Sequence, residues 1–250
     1  MIPFLGITPR ARRGKLQTTV NSLSTMTDIA PLLQQVRQEA EREPFPIDVD
    51  IYLACQKDPL EPVLYAGNLK SQLCFFGRDL GRDEVFAGQP LIGAAGTLVR
   101  DGFYQAWLGH KAKSKQELMK VCDRLLLTNT VPYKPPGNKA YEPEVKDRFR
   151  PFIERLLVCH WQGQQIITLG TEAFKWFIPY GKKGEVNRFF QSGDRFSSRI
   201  VVNLTAQDEQ GKSHQRSVTL LPLPHPSPLN QKYYALFPKL LQERLNEIEF

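Results

Sequence analysis

The fold of this chain is constrained most by three short apolar runs. Each of them leads into a loop rich in proline or glycine. They span 73–76, 125–130 and 220–223, and the third ends two residues before His225. Three prolines around this histidine fix the backbone, so the loop is stiff. A single His-Pro pair is typical of an ordinary surface turn. A stiff loop directly after a buried strand instead favours a positioned residue, because α/β proteins bind ligands beyond the ends of their strands.

The other apolar patterns alternate between helices and strands. We predict helices at 28–43 (capped by Thr27 or Asp28), 92–108, 142–161, 172–178 (capped by Thr171) and 238–248, a strand at 165–169, a basic loop at 182–195, and paired strands at 199–206 and 216–223 around a polar turn. Strands that alternate with helices form a largely parallel sheet covered on both faces. The sequence therefore predicts an α/β fold, a three-layer α/β/α sandwich with a central, largely parallel sheet. Such a sheet gathers Asp79, Asn129 and His225 at one edge.

One domain accounts for most of the chain. The chain has 250 residues, of which 41% are hydrophobic, and it can form one sizeable core, which we place at 27–250. Residues 1–26 form a basic N-terminal extension, for which we consider a disordered DNA-contacting arm, a targeting peptide, or a segment upstream of the true start at Met26. No run of about 18 apolar residues occurs, so we predict no membrane helix and no membrane partner.

The net charge indicates which kind of partner the protein binds, and the cysteines indicate its cellular compartment. A formal net charge of +7 favours a polyanionic partner. The four cysteines (Cys55, Cys74, Cys122 and Cys159) are scattered without a Cys-x-x-Cys pair, which argues against a zinc site and favours a reducing, cytoplasmic location. Cys74 and Cys159 lie in apolar runs, so we expect both to be small buried hydrophobic residues. We expect the protein to be a monomer.

Four motifs that follow one another along the chain resemble those of the uracil-DNA glycosylase superfamily. They are Gly-x-x-x-Gly-x-x-Glu from Gly77, Gly-x-Pro-x-x-Gly-x-x-Gly from Gly88, Thr-Asn-x-x-x-x-x-Pro-Pro-Gly-Asn from Thr128, and His-Pro-Ser from His225. The resemblance covers 73–245 and is closest to the branch known as family four. It implies a DNA glycosylase that flips uracil, or a related deaminated base, out of DNA and hydrolyses its N-glycosidic bond in base excision repair. The alternatives are a DNA-binding member of the fold with little or no hydrolase activity, and a small-molecule hydrolase.

Asp79 and His225 are the predicted catalytic residues. The histidine can donate a hydrogen bond to uracil O2, where negative charge grows as the bond breaks. Asp79 can orient water or stabilise a cationic sugar, although an aspartate in a turn can also accept a hydrogen bond from its own backbone. Family four usually has glutamate and alanine at the positions of Arg78 and Asp79, whereas the classical uracil-DNA glycosylases have aspartate where Asp79 stands. At the site of water activation the chain therefore resembles the classical branch.

Six residues are predicted to bind the substrate: Gly77, Gly81, Leu91, Asn129, Ser227 and Leu229. The Asn129 amide offers a donor and an acceptor that match O4 and N3–H of uracil, although asparagine here can also cap a turn. Leu91 stands where family four has a phenylalanine that stacks on the base. Gly81 stands where the classical enzymes have a tyrosine that excludes thymine, so we expect an open gate. Leu229 matches the leucine that wedges into the duplex.

Four basic residues near these motifs are weaker candidates for contacts with DNA phosphates: Arg78, Arg82, Lys134 and Lys139. Most single lysines and arginines on a surface are simply solvated, which is the alternative for each of them.

The resemblance also raises the question of a cofactor. Family-four enzymes hold an iron–sulfur cluster on four cysteines. Cys55 falls near the place of an early ligand, but Tyr133 and Phe149 take the places of two others. With too few thiolates at matching positions, we predict no cluster, no metal and no other cofactor.

Overall fold

A computed structural model describes residues 28–137, 139–182 and 184–248. The proposed basic extension at 1–26 and the helix cap proposed for Thr27 lie outside these residues. None of the described helices is both long and apolar enough to cross a membrane.

The centre of the fold is a six-stranded sheet with the strand order β1-β3-β2-β4-β6-β5. The strands are β1 (Tyr65–Gly67), β2 (Leu73–Gly77), β3 (Leu125–Asn129), β4 (Gln165–Leu169), β5 (Ile200–Gln207) and β6 (Ser213–Leu223). The four inner strands β3, β2, β4 and β6 run parallel, while β1 and β5 pair antiparallel at the two edges. The largely parallel sheet and the β5–β6 hairpin are therefore confirmed.

Helices cover both faces of this sheet. They are α1 (Ala30–Arg42), α2 (Val49–Ala54), α3 (Arg82–Ala87), α4 (Ala94–Leu108), α5 (Lys115–Met119), α6 (Pro143–Arg155), α7 (Thr171–Lys175), α8 (Glu185–Gln191), α9 (Gln231–Tyr234) and α10 (Phe237–Leu245). Side chains of β2 alternate between the faces: Phe76 belongs to the same core cluster as Leu32 of α1 and Phe149 of α6, whereas Phe75 packs on Phe103 of α4 in the other cluster. Two apolar cores thus flank one sheet, which confirms the three-layer sandwich.

Several elements differ from the sequence-based expectation. The long helix predicted at 142–161 is α6 followed by a wider π-helical turn at Leu156–His160. The region predicted as a loop at 182–195 contains α8, whose Phe190 stacks on the buried Phe174 with ring centroids 4.6 Å apart. Thr171 is the first residue of α7 and its side chain caps nothing. Cys159 is half-buried rather than buried.

The register of the sheet places the candidate residues at one edge. Gly77 pairs with Asn129 at the ends of β2 and β3, and Leu169 pairs with Leu223 at the ends of β4 and β6. Asp79 and His225 each follow two residues after their strand. The polar residues that follow the apolar strands therefore lie together beyond the carboxyl ends of parallel strands, where ligands of such folds bind.

Candidate active site

A cavity of about 270 Å³ opens at this edge of the sheet. Its lining includes both predicted catalytic residues and four of the six predicted substrate-binding residues: Asp79, His225, Gly77, Gly81, Leu91 and Asn129. Arg78 and Arg82 also line it. The structure therefore brings together side chains that are up to about 150 positions apart in the chain.

The Asn129 side chain is a buried amide with an open acceptor. The residue is 2% exposed, and Oδ1 has no hydrogen-bond partner among the described residues. A Cβ atom on the neighbouring Gly77 would lie 2.2 Å from this oxygen, so only glycine leaves room for it. A buried acceptor without a donor is unfavourable by about 1–3 kcal/mol. The free amide is therefore suited to a ligand that brings its own N–H group.

The Asp79 carboxylate lies at the same edge, with its side chain 1% exposed. Oδ2 is 3.0 Å from Arg78 Nε, and Oδ1 is 3.4 Å from the hydroxyl of Thr130. Burial raises the pKa of Asp79 above its usual range, and the nearby positive charge of Arg78 offsets only part of this rise. The site therefore holds a poorly solvated carboxylate in contact with the guanidinium of Arg78, which is an arrangement suited to stabilising positive charge or orienting water.

The surroundings of the His225 imidazole favour its neutral form. Burial lowers the pKa of His225, and the positive charge of Arg78 lowers it further. The loop is fixed by its own backbone, because the carbonyl of His225 accepts from Ser227 N (2.9 Å) and from Asn230 Nδ2 (3.1 Å). Gly170, which the sequence analysis did not single out, has φ +91°, and a Cβ there would lie 2.8 Å from His225 Cβ. A glycine after β4 thus makes room for the histidine.

Ser227 and Leu229 are not among the residues that line the cavity. The hydroxyl of Ser227 accepts a hydrogen bond from the backbone N–H of Leu229 (3.2 Å), so the serine shapes the loop. The Leu229 side chain is 93% exposed. An apolar side chain that is so exposed beside a cavity is available to a partner.

Leu91 lines the cavity from a loop held by a buried arginine. Leu91 has φ +54°, in the left-handed region, and is 8% exposed. Its carbonyl accepts from Arg100 Nε (2.9 Å), while Arg100 Nη2 donates to the carbonyl of Pro90 (3.3 Å). A Cβ on Gly96 would lie only 1.9 Å from the Leu91 carbonyl oxygen. Sequence analysis missed Arg100, although it shares the buried helical face with Val99 and Phe103.

Glu84 ties two loops of the cavity together. Its Oε2 accepts from Gly81 N (3.0 Å), and its Oε1 accepts from the backbone N–H groups of Ile92 (3.2 Å) and Gly93 (3.0 Å). A Cβ on Gly81 would lie 2.5 Å from Oε2. Gly81 therefore both presents no side chain to the cavity and leaves room for the carboxylate that positions the Leu91 loop.

Lys134 was expected to contact a DNA phosphate, and the structure shows that its ammonium group is used elsewhere. Its side chain is 4% exposed, and Nζ donates to Asp48 Oδ2 (2.6 Å) and to the carbonyls of Pro135 (2.9 Å) and Gly137 (2.7 Å). All three hydrogens of the ammonium group are used within the fold, so none is available to a DNA phosphate. The lysine instead fixes the loop after β3, whereas Lys139 is exposed.

The residues at the expected cluster positions do not fit an iron–sulfur cluster. Tyr133 and Phe149 are fully buried, their ring centroids are 5.3 Å apart, and Phe45 packs against both. The hydroxyl of Tyr133 donates to the carbonyl of Leu60 (3.1 Å). Aromatic rings supply no thiolate ligand, and they fill the space between the core helices here. Across the described ranges, no group of three or more His, Cys, Asp or Glu is arranged to hold a metal ion.

Comparison with known proteins agrees with this geometry. A family model described as the uracil DNA glycosylase superfamily matches residues 64–249. A type-4 uracil-DNA glycosylase of Sulfurisphaera tokodaii is 24% identical over 182 residues, which are 73% of this chain and 70% of that protein. A type-4 uracil-DNA glycosylase of Archaeoglobus fulgidus is 30% identical over 91 residues, which are 36% of this chain and 40% of that protein. The region that the family model matches contains every residue that lines the cavity.

Proposed function

This chain belongs to the uracil DNA glycosylase superfamily, and on that premise we propose that it removes uracil, or a related deaminated base, from DNA by hydrolysing the N-glycosidic bond. The observation that supports this most directly is the buried amide of Asn129, whose Oδ1 has no partner among the described residues. Uracil presents N3–H beside O4, so one amide can accept from the first and donate to the second. Cytosine presents the reverse pattern and leaves buried groups unpaired.

His225 acts on the leaving base. The bond between sugar C1′ and uracil N1 breaks, and its electron pair leaves with the base, so negative charge grows on O2. The lowered pKa of His225 favours the neutral imidazole, which has one N–H to donate to O2. A donor placed where charge develops contributes on the order of 3 kcal/mol to the transition state.

Asp79 acts on the sugar and on water. In its ionised form it faces the positive charge that develops at C1′ and orients a water molecule towards that carbon. The water oxygen then bonds to C1′, and one water proton passes through the carboxylate and neutralises the departed base. The products are free uracil and an abasic site.

Leu229 and the arginines of the cavity act on the DNA. A base within a duplex must leave the stack before it can enter a cavity of this kind, and an apolar wedge helps to keep it out. The exposure of Leu229 supports this role. Arg82 is exposed at the cavity and can contact a phosphate without sequence preference.

The ion pair between Arg78 and Asp79 favours a second candidate function. The guanidinium of Arg78, with its Nε 3.0 Å from the carboxylate, offsets part of the rise that burial gives the pKa of Asp79, so the carboxylate is a weaker base than burial alone would make it. In a DNA-binding protein of the same fold with little or no hydrolase activity, this ion pair would not reduce any catalytic rate.

One assay separates the two functions. Labelled oligonucleotides with uracil opposite guanine, uracil opposite adenine, hypoxanthine, or uracil in a single strand are incubated with the protein in EDTA and then cleaved with alkali. We expect abasic product from uracil with the unmodified protein and about 10²-fold less with Asp79→Asn. Folded protein that binds these oligonucleotides and yields no abasic product from any of them would establish the second function.

A further inference from the structure

A second cavity of about 180 Å³ adjoins the cavity proposed to bind uracil (the base cavity). Among the residues that the structure describes, His225 is the one that lines both cavities. The walls of the second cavity include Phe190 of α8, Arg195 and Phe196 of the following loop, and Tyr233 of α9. The proposed hydrolysis uses none of these four residues.

The second cavity combines aromatic rings with a cation. The rings of Phe196 and Tyr233 meet edge to face with centroids 5.3 Å apart. The guanidinium carbon of Arg195 lies 4.5 Å from the ring centroid of Phe196 and 5.5 Å from that of Phe190. Sites for single-stranded nucleic acid use this composition, because every base has a face that stacks on a ring and every linkage has a negative charge.

Arg195 keeps part of its donor capacity. Its Nη1 donates to the carbonyl of Ser192 (2.9 Å), whereas its buried Nε has no hydrogen-bond partner among the described residues. An N–H group without a partner in a half-buried arginine is unfavourable unless a ligand supplies an acceptor. Bases and phosphates both supply acceptors.

The loop that carries Arg195 and Phe196 is rigidly held. Arg244 is fully buried, and its Nη2 donates to the carbonyls of Arg195 (3.1 Å) and Ser198 (2.6 Å). The carboxylate of Asp194 accepts from the hydroxyl of Ser198 (2.6 Å). A buried arginine committed to the backbone of one surface loop fixes that loop before any ligand arrives, which reduces the entropy lost on binding.

We propose that the second cavity binds the base of one nucleotide that flanks the extruded uracil in the same DNA strand. The proposal rests on the proposed function, because His225 lines both cavities and a nucleotide next to a uracil bound in the first is within reach of the second. Lys232, whose Nζ lies 5.1 Å from the ring centroid of Tyr233, adds positive charge for the phosphates. Since the flanking base must leave its own stack to enter, the protein prefers uracil in single-stranded DNA to uracil in a fully paired duplex.

Flank replacement tests this inference. Uracil is placed in single-stranded oligonucleotides in which the base on the 5′ side or on the 3′ side is removed by substitution with tetrahydrofuran. We expect the kcat/KM of the unmodified protein to fall about tenfold for one side and to stay unchanged for the other. Phe196→Leu keeps apolar volume but removes the ring, so it should lose this sensitivity. Tyr234→Leu, which removes an exposed ring outside the cavity, should keep it.

A binding assay keeps this test separate from the proposed function. Fluorescence anisotropy with the same oligonucleotides requires no cleavage. If no uracil is released, an affinity that depends on one flanking base and is lost in Phe196→Leu still supports the second cavity. Equal affinity and activity for all flanks, or full sensitivity retained in a folded Phe196→Leu variant, overturns the inference. Arg195→Gln, which leaves the rings in place, serves as the second variant and should weaken binding of the intact single strand.

Discussion

Replacement of Gly77 by alanine tests whether Asn129 recognises the base. A Cβ at position 77 would lie 2.2 Å from Asn129 Oδ1 and 3.4 Å from Leu91 Cδ2. The second distance is an ordinary contact, but the first is far inside van der Waals range. Because the new methyl group is fixed to a strand of the central sheet, the amide must retreat by about 1 Å.

The size of the effect follows from this displacement. A misplacement of about 1 Å in a catalytic arrangement costs about 10²-fold in rate, which is about 2.7 kcal/mol of transition-state stabilisation. We expect Gly77→Ala to lower the single-turnover rate of uracil release by this factor. Affinity for DNA without uracil should not change, because Gly77 and Asn129 lie inside the cavity and not on its rim.

The assay needs one control and one double variant. Gly193→Ala is the control, since a Cβ there meets nothing within 4 Å and the backbone has no left-handed conformation. Thermal unfolding of both variants shows whether either has lost its fold. If the alanine acts through the amide, Gly77→Ala combined with Asn129→Ala should be no slower than Asn129→Ala alone.

Two results would refute this reasoning. One is a folded Gly77→Ala variant with a rate within threefold of the unmodified protein. The other is a double variant whose losses multiply, because independent effects would mean that Gly77 does not act through Asn129.

Four further predictions follow from the site. Asp79→Asn should lower the single-turnover rate by about 10²-fold. Because burial raises the pKa of Asp79, the activity of the unmodified protein should begin to fall at a higher pH than an ordinary aspartate would cause. A pH–rate profile that stays flat through the acid range contradicts this. Gly81→Tyr should suppress release of 5-substituted uracils more than release of uracil, whereas Gly81→Ala, which displaces Glu84 equally, should affect both alike; the same ratio in the two variants would place the gate elsewhere. Lys134→Met should lower the free energy of unfolding by about 3 kcal/mol, because it leaves Asp48 unpaired, with no effect on DNA affinity at a temperature where the variant is folded. Protein purified without oxygen should show no absorbance near about 400 nm from thiolate-bound iron, and stoichiometric iron and sulfide would contradict this.

The strand ends could be predicted from the sequence because their signal is local. Each apolar run has the length of a buried strand, and proline or glycine marks where it stops. Asn129 ends β3 and His225 follows β6 by two residues, as expected. The parallel register then places them together without further information.

The buried cations could not be predicted in this way, because their partners are remote in sequence. Lys134 pairs with Asp48, which lies 86 positions earlier, and nothing near either residue reveals the pair. Arg100 likewise donates to backbone carbonyls that any sequence presents. The helix α8 was missed for a related reason, since its Phe190 stacks on Phe174, which lies outside the helix, and such packing stabilises short helices more than local propensity does.

The way in which Leu91 is held has a consequence for how this protein can evolve. Arg100 and Gly96 fix the main chain at this position, so the loop does not depend on which side chain it presents. The side chain at position 91 can therefore be exchanged without moving the main chain, and on the proposed function such an exchange would alter which bases the cavity accepts. The left-handed backbone limits that freedom: side chains that are not branched at Cβ, such as leucine and asparagine, are tolerated, whereas valine, isoleucine and threonine are disfavoured.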